Sequence, residues 1–219
     1  MLDTYSDEEQ IDRLKQWWQE NGVSLLTSIV IALAAIFGWR SWQDNQQTNI
    51  DAASVAYQNL LESVASLENN ADDIQIASAI FNAESLKKQN DQSAYAHFAA
   101  FFKARQAVLD EDYVTAEEEL NWVLAHKPSS QLKAIAQLRL AKVLVAKGDS
   151  AAALALLVEG DDEVMNYTKA ELKGDILLHD KDFLAAVEAF EQAQSLASTL
   201  QIQVSQTLEL KLNYAKSFL

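Results

Sequence analysis

Side chains able to do chemistry are few in this sequence, and they are scattered. There are three histidines, His97, His126 and His179, and no cysteine. None of the histidines has a second one three or four residues away, the spacing that would put two imidazoles on one helical face around a metal. His126 and His179 fall where helices should end. A partly cationic ring suits the helix dipole there, so they read as surface or capping residues. Without a thiol there is no cysteine nucleophile, zinc knuckle or disulfide frame. No phosphate-cradling GxxxxGK(S/T), dinucleotide GxGxxG, nucleophile-elbow GxSxG or HExxH pattern occurs. The acid runs Glu117-Glu118-Glu119 and Asp161-Asp162-Glu163 can attract a cation weakly. Sequence neighbours splay around a helix, however, so the first reads as a solvated face and the second as a loop. The sequence therefore offers no catalytic, cofactor-binding or metal residues, and the expectation is a protein that binds and is not an enzyme.

The cations point the same way. Seventeen Lys and Arg face 32 Asp and Glu, a formal net charge of −15. Such a chain repels a phosphate backbone, which removes nucleic acid from the expected partners. Hydrophobic residues make up 49% of the chain, enough for a packed core, while one proline and five glycines are too few for the turns of a β-sandwich or barrel. The expected class is all-α.

One segment demands lipid. No ionisable residue occurs between Glu20 and Arg40, and Val23 to Trp39 is apolar for 17 residues. At about 1.5 Å per residue this reaches roughly 26 Å, near the lower end for a bilayer core. Trp17 and Trp18 precede it, and Trp39 and Trp42 close it beside Arg40, as an interfacial aromatic belt would. An acidic flank before Val23 and the apolar continuation after Ala34 oppose a cleaved signal peptide. The expectation is a transmembrane anchor over 23–42 behind an amphipathic N-terminus, 1–22. Ser6 and Glu9 have capping-box spacing. Residues 10–22 then form either a short interfacial helix or an extension of the anchor helix. Arg13 and Lys15 precede the anchor whereas only Arg40 closely follows it, so the positive-inside rule puts the N-terminus in the cytoplasm and the remainder across the membrane.

The remainder is helical by period. Residues 45–219 carry 14 Lys and Arg against 25 Asp and Glu, a net charge of −11. Apolar residues at three and four spacing predict helices near 46–68, 73–89, 93–109, 113–126, 130–147, 150–158, 164–179, 183–197 and 200–217. Short polar breaks separate them, such as Glu68 to Asp73, Gln89 to Gln92, Asp110 to Asp112, Lys147 to Asp149 and His179 to Asp182. A repeat runs through the later helices. Small residues Ala104, Ala141 and Gly174 are each followed twelve positions on by Ala116, Ala153 and Ala186. Four positions further come Leu120, Leu157 and Phe190. A small residue on each helix lets the pair approach, and the large one fills the gap. This is the tetratricopeptide pattern, so 43–92 are expected to be N-terminal helices and 93–219 tetratricopeptide-like repeats with a C-terminal helix.

In such a solenoid the first helix of each pair lines a concave face. Here that face would show Phe98, Phe101, Arg105 and Val108, then Ile135, Leu138, Lys142 and Val145. In the third unit the equivalents are Thr168, Glu171, Asp175 and Leu178. Exposed apolar side chains with occasional cations suit a polypeptide partner. The alternative is that helices 46–89 or 200–217 pack into the groove and fill it.

The anchor and its flanks, Gln10-Ile-Asp-Arg-Leu-Lys-Gln-Trp-Trp-Gln-Glu-Asn-Gly22, Gly38-Trp-Arg-Ser-Trp42 and Ala53-Ser-Val-Ala-Tyr-Gln-Asn-Leu60, resemble the YfgM family of ancillary SecYEG translocon subunits, and the likeness continues through the alanine-rich repeats. The resemblance implies a single-pass bacterial inner-membrane protein with its helical domain in the periplasm. It implies association with the SecYEG channel and the periplasmic chaperone PpiD, and handover of emerging secretory polypeptides to periplasmic chaperones. It also links the family to envelope stress signalling through the Rcs phosphorelay. A structural scaffold for a cell-envelope assembly, or a stress-signalling regulator without client binding, is the competing reading.

Overall fold

The computed structural model describes residues 7–65, 67, 73–89, 91, 93–160 and 162–219, and every regular element among them is a helix. The chain divides into two compact units, Met1–Ala52 and Ala53–Leu219. Helix α1 (Asp7–Ala65) begins in the first and ends in the second.

Within the first unit α1 is long and apolar enough to cross a membrane. Its apolar side chains have no protein cover: Val23, Val30, Ile31, Phe37 and Trp39 are exposed. The few polar side chains in the run bond to the backbone of their own helix. Thr27 donates to the carbonyl of Val23 (2.6 Å) and Ser28 to that of Ser24 (2.8 Å), so neither needs water in a hydrocarbon layer. Trp17, Trp18, Trp39 and Trp42 are all exposed, and the rings of Trp39 and Trp42 stand 5.3 Å apart. Between the two alternatives for residues 10–22, the backbone takes the second: they extend the anchor helix without a break. Ser6, half of the expected capping box, lies outside the described residues.

Two sequence expectations need correction here. The helix expected at 46 has no start of its own, because the change from apolar to polar composition after Trp42 is not a stop signal. No proline or cap follows Gly38, and the helix runs on to Ala65. The last helix begins at Gln206, not 200. Leu200 caps α8, Gln201 turns with φ +56°, and Ser205 then opens α9 by accepting from the N–H of Leu208.

The second unit continues with α2 (Asp73–Gln89), α3 (Ala94–Leu109), α4 (Tyr113–Ala125), α5 (Ser130–Ala146), α6 (Ser150–Ala155), α7 (Glu163–His179), α8 (Phe183–Thr199) and α9 (Gln206–Lys216). The expected breaks at 68–72, 90 and 92 lie outside the described residues. The three hairpins α3–α4, α5–α6 and α7–α8 share one turn. Glu111, Gly148 and Lys181 each sit in the left-handed region, at φ +59°, +85° and +64°. The following aspartate sends its N–H back to the first helix, Asp112 to Ala107, Asp149 to Leu144 and Asp182 to Leu177, at 2.8–2.9 Å. That same aspartate's carboxylate then caps the second helix, accepting from Thr115, Ala152 and Ala185. One residue thus ends one helix and starts the next.

The repeat residues fill the core. Ala104, Ala116, Leu120, Ala141, Ala153 and Leu157 belong to one buried cluster, and Ala186 and Phe190 to the next. Gly174 lies so close to Phe190 that a Cβ there would stand 2.5 Å from Cδ1 of the ring. A third cluster joins Ala53 and Leu60 of α1 to Ala83 and Leu86 of α2 and Ala99 of α3.

Candidate functional site

The face expected to be an open groove is divided into three parts. At its beginning Phe98 is 40% exposed, but its ring lies 5.8 Å from that of Tyr57, which also meets Tyr95 at 5.0 Å. The end of α1 therefore covers part of this face. In the third unit α9 provides the cover. Lys211 reaches across to Asp175 (2.7 Å) and Glu171 (3.6 Å) on α7. Between these ends a cleft of about 310 Å³ stays open between α3 and α5, floored by α4.

Four expected residues meet in this cleft: Phe101, Arg105, Val108 and Lys142. Phe101 is its buried wall, 6% exposed, and not a side chain offered to water. Ile135, Leu138 and Val145 turn elsewhere. They pack against the core cluster that includes Leu172 and Ile176 of α7. The cleft face of α5 is instead Arg139, Lys142, Val143 and Ala146, at i, i+3, i+4 and i+7. Sequence reasoning missed Arg139 and Val143, together with Leu109 and Tyr113 at the hairpin end. Counting the face from the small repeat residues placed it about one residue's turn away.

Arg139 is exposed at the cleft mouth. Its guanidinium lies 4.6 Å over the ring of Phe101, and burial there lowers its pKa. Among the described residues Arg105, Arg139 and Lys142 form no ion pair, and none that lines the cleft is acidic.

Next to this face lies a buried charge cluster where the sequence pattern predicts a solvated one. Glu119 is buried and pairs with Lys87 and with Lys103 (2.5 Å), which also holds Glu84 (2.6 Å). Burial alone would lower the Lys103 pKa, but its bonds to Glu119 and Glu84 outweigh this and raise it. The Lys103 ammonium holds the Glu84 carboxyl below its ordinary range. Lys87 lies 4.6 Å over the ring of Trp122. Glu117 pairs with Lys147 on the neighbouring helix. In the second acid run Asp162 caps α7 by accepting from Met165, and Asp161 lies outside the described residues.

His97 is 2% exposed. Its Nε2 donates to the carbonyl of His126 at 3.0 Å, and its Nδ1 is buried without a partner. The missing solvation lowers its pKa. His126 ends α4, stacks on Trp122 at 3.9 Å and faces the Trp122 carbonyl through Nδ1 (2.7 Å). His179 is exposed beside Asp180 (3.1 Å). Among the described residues no three ligating side chains gather as a metal site would require.

Comparison with known proteins agrees with this architecture. Residues 15–217 match the tetratricopeptide repeat-like domain family. The chain is 35% identical to an ancillary SecYEG translocon subunit of Haemophilus influenzae, over 97% of this chain and 99% of that one. It is 32% identical to the protein of that name from Aggregatibacter actinomycetemcomitans, over 94% and 97%. For the one from Escherichia coli K12 the identity is 30%, over 97% and 98%. The chain belongs to the family of ancillary SecYEG translocon subunits. No solved structure matches it. In this family member the apolar helix and the repeats occur in one chain, in the order that the resemblance of the anchor flanks implied.

Proposed function

We propose that this chain is a membrane-anchored adaptor at the SecYEG channel, which holds emerging secretory polypeptides and passes them to periplasmic chaperones, PpiD among them. One observation carries the reading: an uncovered apolar helix with tryptophans at both ends belongs to the same chain as a repeat stack that keeps an open cleft. Repeat stacks of this kind act by contact, and a tether multiplies weak contacts by raising the local concentration of the partners. Arg13 and Lys15 against Arg40 favour a cytoplasmic N-terminus, with Ala53–Leu219 in the periplasm of a bacterial inner membrane. The relatives' names support the channel as the partner.

Copurification from detergent-solubilised membranes tests this reading. The full chain should recover channel subunits and PpiD, and a chain lacking residues 1–42 should lose the channel. Recovery of envelope-building proteins without the channel would refute the reading and favour the scaffold. Orientation has its own test. Because the chain has no cysteine, Ser150→Cys gives one thiol, which a membrane-impermeant maleimide should label from the periplasmic side of intact cells.

A further inference from the structure

We propose that the cleft between α3 and α5 takes polypeptide segments in which carboxylates flank a bulky apolar side chain, so that the adaptor favours acidic–aromatic stretches. This deepens the proposed function and rests on it for the source of the segments.

Charge complementarity carries the inference. The molecule has a net charge of −15, yet among the described residues the charged side chains that line this cleft are Arg105, Arg139 and Lys142. Several other cations next to the core are neutralised by carboxylates, although buried Lys169 bonds only the carbonyl of Val158. Lys87 and Lys103 share Glu119, Lys147 has Glu117, and Lys211 has Asp175. The three cleft cations have no such partner among the described residues. Three like charges around one opening repel one another, and an incoming carboxylate relieves that repulsion.

The apolar part sets the rest of the specificity. Phe101, Val108 and Val143 line a space of about 310 Å³, the lower limit of common ligand sites and suited to one large side chain. Arg139 is already stacked on Phe101, so a planar donor fork is in place before the ligand arrives. A carboxylate can meet that fork while the neighbouring aromatic or aliphatic side chain enters the cleft. A free copy of this hydrocarbon wall without the cations would accept any apolar segment, and cations without the wall would accept any anion.

The test uses the full chain in detergent and fluorescein-labelled ten-residue peptides in a Gly/Ser frame, read by anisotropy. A Glu–Phe–Glu core should bind at least about tenfold tighter than a Lys–Phe–Lys or a Glu–Ala–Glu core. The preference should weaken with salt. Arg105→Glu with Lys142→Glu should cost about tenfold and turn the preference toward the lysine peptide. Both residues are exposed, and Arg105→Gln with Lys142→Gln gives a milder version should the first fail to fold. Equal binding of the acidic and basic peptides, or unchanged binding by a folded variant, overturns the inference. So does occupancy by dihexanoyl phosphatidylglycerol with none by peptide, which would assign the cleft to a lipid headgroup. Channel copurification by the same variants separates the two claims. If it persists while peptide preference is absent, only the cleft inference fails. If the unaltered chain never recovers the channel, the adaptor reading fails whatever the peptides do.

Discussion

Gly174→Ala should destabilise the repeat unit, although alanine is the better helix former. The added Cβ would stand 2.5 Å from Cδ1 and 2.8 Å from Cζ of Phe190, a ring with no exposed surface. To restore ordinary contact the ring must retreat by about 1 Å into neighbours that include Leu208 and Leu212. Overpacking of this kind costs about 1–3 kcal/mol. Replacing a mid-helix glycine returns about 1 kcal/mol. The net loss should be up to about 2 kcal/mol. The other two repeats show the remedy, since Ala104 and Ala141 occur with Leu120 and Leu157 at the positions where Gly174 occurs with Phe190. Phe190→Leu alone should also destabilise, by removing ring volume, and the double variant should lie closer to wild type than the sum of the two. Urea titrations followed by far-UV circular dichroism give the three midpoints and slopes. The coupling should be about 1 kcal/mol or more. An increase in stability for Gly174→Ala, or strict additivity, would refute the idea that helix approach in this repeat depends on a missing methyl group.

Two more predictions concern buried charge. Glu119→Leu leaves Lys87 and Lys103 with Glu84 as their remaining carboxylate and should cost less than the about 3–5 kcal/mol of a fully uncompensated buried charge, whereas Lys87→Met added to it should recover part of that loss in the same titrations. For His97, burial lowers the folded-state pKa, so the unfolded chain binds the proton first. Its contribution is complete above the ordinary imidazole value of about 6.5 and is lost as pH falls from there through the folded value. His97→Gln, which keeps a donor for the His126 carbonyl, should flatten the acid side of the stability profile, and an unchanged profile would count against this role.

Much of the fold was legible because its signals are local. The small–small–large triplets, and the aspartates at 112, 149 and 182 that end one helix and cap the next, lie within a few residues of what they control. Ser205 is an equally local cap, but the expected helix began five residues before it. Burial of Glu119 could not be read, because its partners lie 32 and 16 residues back and nothing in a run of three glutamates distinguishes the one that turns inward. The candidate site was half legible for a related reason. Periodicity finds an apolar stripe on α5, but whether a given side chain meets open cleft or the next repeat depends on how α7 packs. Ile135, Leu138 and Val145 went to the core cluster. The covering of Phe98 by Tyr57 and of Asp175 by Lys211 joins segments 41 and 36 residues apart, beyond the reach of any window.

The hairpins of the second unit pack chiefly on their immediate successors, and each turn is closed by bonds within six residues. A chain built this way has little need of distant partners to begin folding. Each hairpin can condense as soon as its own two helices have emerged, whether from a ribosome or from a pore, and the next can add to it. The order of assembly can then follow the order of delivery, with few early intermediates that must wait exposed for the far end of the polypeptide.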